Sequence, residues 1–433
     1  MSPSTIAVIG IVLIIIIFLL RMPVAYAMGL VGLIGFAFAS SIDGSFRIVA
    51  KDIWATFSNY SLSVVPMFVF MGAVAFYSGT SGRLFDAAHK FLGKLPGGLA
   101  LATVFACAGF GAMCGSTNAE AAAMGKVTIP EMKRFKYDDS LATGSVAAAG
   151  SLAILIPPST VLILYGVMVQ ESIGKLFLAG ILPGILLTIL FAITVVILCR
   201  LKPGIAPAAS SSTWREKLKS LSGIIEMLAL FVLVMGGLFV GWFTPTEAGA
   251  VGAAGAIVIG LIRRKLGWRG FWNALEDTTQ ITAMVFLIIA GATIFGHFMA
   301  ITRMPFTLSE IVGGLAIPTI AVMALIMFLY LIGGCFMDSL ALITLTIPIL
   351  YPVITGLGFD PIWFGIMIIL VAEMGVITPP VGVNVYVIKG VAPDVPLQAI
   401  FKGIFPFLYA EIICVVILIL FPQIVLFLPG LMQ

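Results

Sequence analysis

Charge is what this chain has least of. Asp, Glu, Lys and Arg make up 10% of its 433 residues, against 61% apolar residues, whereas a soluble domain carries about 25% charged residues. No stretch is polar enough and long enough to build a sizeable water-soluble domain, which excludes a soluble enzyme on a membrane anchor. Histidine is nearly absent, with only His89 and His297. A membrane-embedded hydrolase would need a paired His, Asp or Ser set, and the sequence offers none. We read His89 as a loop residue and His297 as a helix-packing residue. Cysteine is sparse too: Cys107, Cys114, Cys199, Cys335 and Cys414 lie in or beside apolar segments without metal-type spacing, as small core residues do. The N-terminus lacks the basic residues that open a signal peptide. Ala25-Tyr26-Ala27 resembles a cleavage site, but Arg21 follows the first apolar run instead of preceding it, so that run is expected to be an uncleaved first helix.

What is present is a succession of apolar runs long enough to cross a bilayer, each needing ~20 residues. Spans are expected near 4–20, 23–42, 61–78, 141–169, 176–199, 222–242, 246–262, 279–302, 361–388 and 403–428. With the N-terminus outside, all but four of the 23 Lys and Arg (Arg47, Lys51, Lys175 and Arg303) fall on the cytoplasmic side, the asymmetry that orients membrane proteins. Two long segments, 97–132 and 313–352, fit poorly as simple spans. Small and polar residues break each near its middle, as FGAMCGSTNAEAAAMG and LIGGCFMDSLALITL. Irregular backbone at membrane depth is tolerated only when buried in protein or lining a cavity, so both are read as re-entrant hairpins. The helices after them, 141–169 and 361–388, carry Ile156-Pro157-Pro158 and Thr378-Pro379-Pro380. Paired prolines remove backbone donors and clash with the preceding turn, which breaks both.

The two halves match at an offset of about 220 residues. Pro23 answers Pro245, FVFMGAVAF (68–76) answers LIIAGATIF (287–295), Thr128-Ile129-Pro130 answers Thr346-Ile347-Pro348, and the proline pairs answer each other. Each half holds five spans and one hairpin, and an odd number of spans inserts the second copy upside down. The expected fold is therefore an all-α polytopic membrane protein of two inverted repeats, 1–202 and 222–433, joined by a cytoplasmic linker at 203–221. Inverted repeats with discontinuous helices are the architecture of many secondary transporters, with binding where the breaks meet. A continuous polar pore, the mark of a channel, is not evident. Segments 43–60 and 263–278 mix basic residues with Trp and Phe in matching places and are read as interfacial helices.

The first tip carries Gly115-Ser116-Thr117-Asn118-Ala119-Glu120. Small residues allow a tight turn, hydroxyl and amide oxygens suit a hard cation, and a restarting helix offers unpaired N–H groups to an anion. The plainer reading is that Ser and Thr merely cap and pack helices. The second tip carries Asp338 after Gly333-Gly334-Cys335-Phe336-Met337, an acid that needs a partner or a wet cavity at this depth unless it is a helix cap. Ser151 and Thr378 stand at the breaks, where freed carbonyls would complete two cation sites. Substrate-facing candidates are Ser159 and Thr160 after the first proline pair, Asn384 after the second, and Arg303. Arg303 suits a carboxylate if it lies at depth and snorkels if it lies at the interface. Glu120, Glu226, Glu247 and Glu411 are further acids in or near spans.

At GSTNAEAAAMGKVTIPEM, GSLAILIPPSTVLILYGV, GCFMDSLALITLTIPILYPV and EMGVITPPVGVNVYVIKGV, the chain resembles the large membrane subunit of the tripartite ATP-independent periplasmic (TRAP) transporters along essentially its whole length. The resemblance implies an elevator-type fold in a bacterial inner membrane and no enzymatic activity or cofactor. It implies sodium-coupled uptake of an organic acid such as a C4-dicarboxylate or sialic acid. The partners it implies are a periplasmic binding protein and a small four-helix membrane subunit, expected here as a separate chain because the first helix begins at residue 4. It places sodium around Ser116, Thr117, Asn118 and Ser151 in the first half, and around Gly334, Cys335, Asp338 and Thr378 in the second. The competing reading is a stand-alone sodium–anion symporter without a binding protein.

Overall fold

A computed structural model describes residues 2–20, 22–207, 212–314 and 318–432. Arg21, part of the linker and three residues before the second hairpin lie outside the described residues. All regular structure among the described residues is helical, and nine helices are long and apolar enough to cross a membrane. Apolar side chains such as Ile15, Ile16, Ile185, Ile189, Ile193 and Ile197 point outward, while Glu120, Glu373, Glu411 and Asn384 are buried. That distribution is the reverse of a water-soluble protein and suits hydrocarbon as the surrounding solvent.

The first half runs through Pro3–Leu19, Val24–Ala39, Ile42–Phe57, Val64–Tyr77 and Thr80–Leu92 to a hairpin with legs Gly98–Cys114 and Thr117–Arg134. A broken helix follows (Asp139–Ala149, Leu152–Leu155, Thr160–Val169), then Ile173–Leu201. The second half repeats the series. Trp214–Val240, which includes a π-helical turn at Val232–Gly236, and Pro245–Ile262 lead to Trp268–Ile301 and Met304–Gly314. Then come hairpin legs Thr319–Phe336 and Ser339–Gly356, a broken helix (Pro361–Ile377, Val383–Val391), Leu397–Leu420 and Gln423–Gly430. Both hairpins fold back on themselves. In the second, Tyr330 and Thr346 share a hydrogen bond of 2.5 Å although a straight helix would hold them about 24 Å apart. In the first, Glu120 packs against Gly111.

The halves exchange partners. Val24–Ala39 packs on Trp268–Ile301, and Val64–Tyr77 packs on Pro245–Ile262, so each of the two first-half helices contacts the repeat counterpart of the other. A second group joins the hairpins, the broken helices, Ile173–Leu201 and Leu397–Leu420, the last lying along Asp139–Ala149.

Two expectations change in detail. Segment 263–278 is not a separate surface helix, because the chain enters a helix at Trp268 and continues without interruption to Ile301. Only Gly267 and Gly270 punctuate that stretch, and no proline stops it. In the first half Ile42–Phe57 is a separate helix, ending at Ser58, with Asp52 and Thr56 buried and Trp54 exposed. The segment read as linker, 203–221, turns helical at Trp214. There Thr213 and Glu216 form a capping box, and the helix continues into the span.

Candidate functional site

The first tip is made by two residues. Gly115 ends the outgoing leg in the left-handed region (φ +61), which glycine enters at little cost. Ser116 is extended and starts Thr117–Arg134 without using its hydroxyl as a cap. The tip docks on the first break. Thr160 donates its hydroxyl to the Gly115 carbonyl at 2.8 Å and its amide at 3.4 Å, and a Cβ on Gly115 would lie 2.7 Å from the Pro158 carbonyl oxygen. Ile156 is extended just before the proline pair, and the buried Ser159 restarts the helix by accepting the Leu162 N–H at 3.3 Å.

The second tip repeats this plan with different residues. Met337 and Asp338 are extended, and Asp338 starts Ser339–Gly356 but closes no side-chain capping bond. The outgoing leg lies directly on the broken helix: a Cβ on Gly334 would come within 2.4 Å of the Ala372 carbonyl oxygen. After the second proline pair, Gly382 donates its amide to the Cys335 carbonyl at 3.4 Å. The Thr378 hydroxyl is spent inside its own helix, donating to the Met374 carbonyl at 2.5 Å.

The two tips meet at Glu373, which is 1% exposed. Thr117 donates its hydroxyl to Oε2 at 2.8 Å and Ser339 to Oε1 at 2.5 Å. Beside them Ser151 donates to the Ala148 carbonyl at 2.7 Å and to Glu411 Oε1 at 3.0 Å. Asn384 reaches from the second break to the first, its Nδ2 donating to the Ala147 carbonyl at 3.2 Å. Among the described residues, several buried oxygens near the tips and breaks have no hydrogen-bond partner: Asn118 Oδ1, Asn384 Oδ1, Glu411 Oε2 and both carboxylate oxygens of Glu120. Among the described residues, Glu120, Glu373 and Glu411 form no salt bridge. No His, Cys, Asp and Glu cluster there is built for a transition metal. Oxygen donors alone suit a hard cation, and buried polar oxygens without partners are costly enough to require an explanation.

A cavity of about 350 Å³ opens beside the first tip, between the hairpin and the helices Val64–Tyr77 and Trp268–Ile301. Ser116, Thr160, Lys126, Tyr77, Asp277 and Gln280 supply its polar groups, and Tyr77 donates to Asp277 at 2.8 Å. A second cavity of about 420 Å³ lies against the return leg of the other hairpin, with Thr56, Asn59, Thr293, His297 and Tyr351 on its wall.

The structure thus gathers Ser116, Thr117, Asn118, Ser151, Ser159, Thr160, Gly334, Cys335, Asp338, Thr378 and Asn384 around the tips and breaks. Arg303 does not join them. It is exposed, in a left-handed turn (φ +55) after Ile301, and lines neither cavity. The cation beside the first tip is Lys126. His297 is more than a packing residue, since its Nδ1 pairs with the buried Asp52 at 2.7 Å. His89 lies within Thr80–Leu92, not in a loop, between Phe85 and Phe135. Glu226 pairs with Arg83 and Arg263, and Glu247 caps its own helix with Thr244. The residues that sequence reasoning undervalued are Glu373, Glu411 and Lys126. For Glu373 and Glu411 the signal was an ionisable group inside an apolar helix, which is costly unless it has a use, whereas Lys126 stands in a helix with several other charged residues and carried no such signal.

Two folded-back hairpins meeting two broken helices inside a bundle of apolar helices define a multi-pass membrane protein of all-helical build. The comparisons give the particular family. Residues 11–424 match the family described as "Tripartite ATP-independent periplasmic transporter, DctM component", and the chain belongs to that family, one of transport proteins and not of enzymes. It is 35% identical over 411 residues to the sialic acid TRAP transporter large permease protein SiaM of Vibrio cholerae, covering 95% of each chain. It is 35% identical over 387 residues to the C4-dicarboxylate TRAP transporter large permease protein DctM of Pseudomonas aeruginosa, covering 89% of this chain and 90% of the other. The ectoine TRAP transporter large permease protein TeaC of Halomonas elongata is 31% identical over 414 residues, covering 95% and 96%. In structure the chain is similar to the YdaH transporter of Alcanivorax borkumensis, with a TM-score of 0.65 at 14% identity, covering 88% of this chain and 90% of that one.

Proposed function

We propose that this chain is the translocating subunit of a sodium-coupled importer for a small organic acid, fed by a periplasmic binding protein and braced by a small four-helix membrane subunit in a bacterial inner membrane. The observation that carries the reading is the convergence of both tips on Glu373, amid buried oxygens that lack partners among the described residues. Sodium would take those oxygens together with hydroxyls and carbonyls of the tips: Ser116, Thr117, Asn118 and Ser151 in one repeat, Gly334, Cys335, Asp338 and Thr378 in the other. The cavity beside Ser116 and Thr160 would receive the substrate, with Lys126 as partner for its carboxylate and Ser159 and Asn384 shaping the floor. Repeats at 1–202 and 222–433, joined through 203–221 with the N-terminus periplasmic, would place the two hairpins on opposite sides of the membrane.

Coupling follows from the cost of unpaired charge. A carrier holding only sodium or only substrate leaves charge uncompensated in low dielectric. Fully loaded or empty, it hides its polar groups and can slide past the helices Val24–Ala39, Val64–Tyr77, Pro245–Ile262 and Trp268–Ile301 in an elevator movement. Of the substrates named for the relatives, sialic acid, C4-dicarboxylates and ectoine carry a carboxylate and isethionate a sulfonate, so we infer a small organic acid, with a carboxylate as the commoner head group. In proteoliposomes containing the permease, its small subunit and the loaded binding protein, Asp338→Ala and Ser116→Ala should each abolish sodium-driven uptake while the protein still inserts. Undiminished uptake in both variants removes the site assignment.

A further inference from the structure

We propose that Glu373 is a latch that makes the two hairpin tips move and bind as one unit, so that an ion at one tip fixes the geometry of the other. The inference rests on the sodium-coupled reading for its use, but the latch itself rests on geometry. Thr117 and Ser339 are each the first residue of a return leg, and they stand 222 positions apart, the spacing that also relates the two proline pairs. Repeat-related hydroxyls therefore converge, from opposite halves of the chain, on the two oxygens of one carboxylate, at 2.8 and 2.5 Å.

The carboxylate itself breaks the symmetry. Glu373 stands where the first repeat has Ser151, and Ser151 turns to Glu411 instead. A symmetric pair of serines would leave each tip tied only to its own broken helix, as Thr160 ties Gly115 and Gly382 ties Cys335. One carboxyl group has enough acceptor capacity for both hydroxyls, one on each oxygen. Burial of Glu373 to 1% exposure keeps water from replacing either donor. Glu373 acts through Thr117 and Ser339, and its role is positioning.

The direct test is hydrogen–deuterium exchange at both tips, 113–119 and 335–341, in the full-length protein with its small subunit. Thr117→Val removes only the first hydroxyl. The latch requires exchange to rise at the far tip, 335–341, by about tenfold, the loss of one buried hydrogen bond. Ser339→Ala should do the same at 113–119. Glu373→Met should raise both, and a second substitution on top of it should add nothing, as expected for residues in one network. Glu373→Gln, which still offers an acceptor and a donor to two hydroxyls, should restore most of the protection. Exchange that rises only at the substituted tip overturns the latch, whatever the driving ion. Sodium titration of thermal stability then reads the coupling. A steep wild-type curve should become shallow in Thr117→Val and Ser339→Ala. Absence of any sodium response in the wild type counts against the sodium reading while leaving the exchange result to decide the latch.

Discussion

Gly375 gives the sharpest test of how the second hairpin is held. It sits in Pro361–Ile377 where the helix meets Gly334, and a Cβ there would lie 2.6 Å from the Leu331 carbonyl oxygen and 2.6 Å from Gly334 Cα. Ordinary carbon contacts lie near 3.5–4.0 Å, so Gly375→Ala must push hairpin and helix about 1 Å apart. Both obstacles are backbone, and no flexible side chain can swing away. Overpacking of this kind costs about 1–3 kcal/mol, against at most about 1 kcal/mol regained from alanine's better helix propensity. Gly390, in the next segment of the same broken helix, is the control. A Cβ there meets nothing within 4 Å, so Gly390→Ala should be neutral or slightly stabilising. Thermal unfolding in detergent measures the first difference, and initial uptake rates in liposomes measure the second. Gly375→Ala should melt lower and lose most of its uptake, because the displaced outgoing leg carries Cys335 and the tip away from Gly382. A Gly375→Ala protein that melts and transports like Gly390→Ala would refute the reasoning that the hairpin rides on a backbone-to-backbone contact.

Two other outcomes follow from the described contacts. Lys126→Gln should raise the substrate concentration needed for half-maximal uptake by about tenfold with little change in protein yield, because an exposed cation on the cavity wall gives up one charge-assisted contact and no packing; a kinetic series on the reconstituted transporter checks it. Glu226→Gln should lower stability by about 1 kcal/mol, since it weakens the partly exposed pairs with both Arg83 and Arg263 and such pairs are screened by water; the shift should shrink in high salt in a thermal-unfolding series.

Much of the architecture was decided by the sequence, because in hydrocarbon each backbone group must find its partner close by. Gly115 and Ser116, Met337 and Asp338, and the two proline pairs mark where helices must stop, and the chain stops there. The expected hairpin segments 97–132 and 313–352 contain both tips, and the broken helices 141–169 and 361–388 contain both breaks. The resemblance read from the motifs of both halves holds for residues 11–424. Even at this local level some judgements failed, His89 in a helix instead of a loop among them. The segment from Arg263 to Thr278 looks interfacial by composition, yet from Trp268 on no proline stops it and it runs on into the span as Trp268–Ile301.

Tertiary structure alone decided which polar groups face each other. Arg303 suits a carboxylate only if it lies at depth, but it sits exposed in a left-handed turn and lines neither cavity, whereas Lys126 lines the cavity beside the first tip. Glu373 meets Thr117 across 256 positions, and Glu411 meets Ser151 across 260. No local propensity encodes such pairs, which depend on how the exchanged helices of the two halves pack. Backbone satisfaction is local and leaves its mark on neighbouring residues, whereas the pairing of buried side chains belongs to the assembled fold.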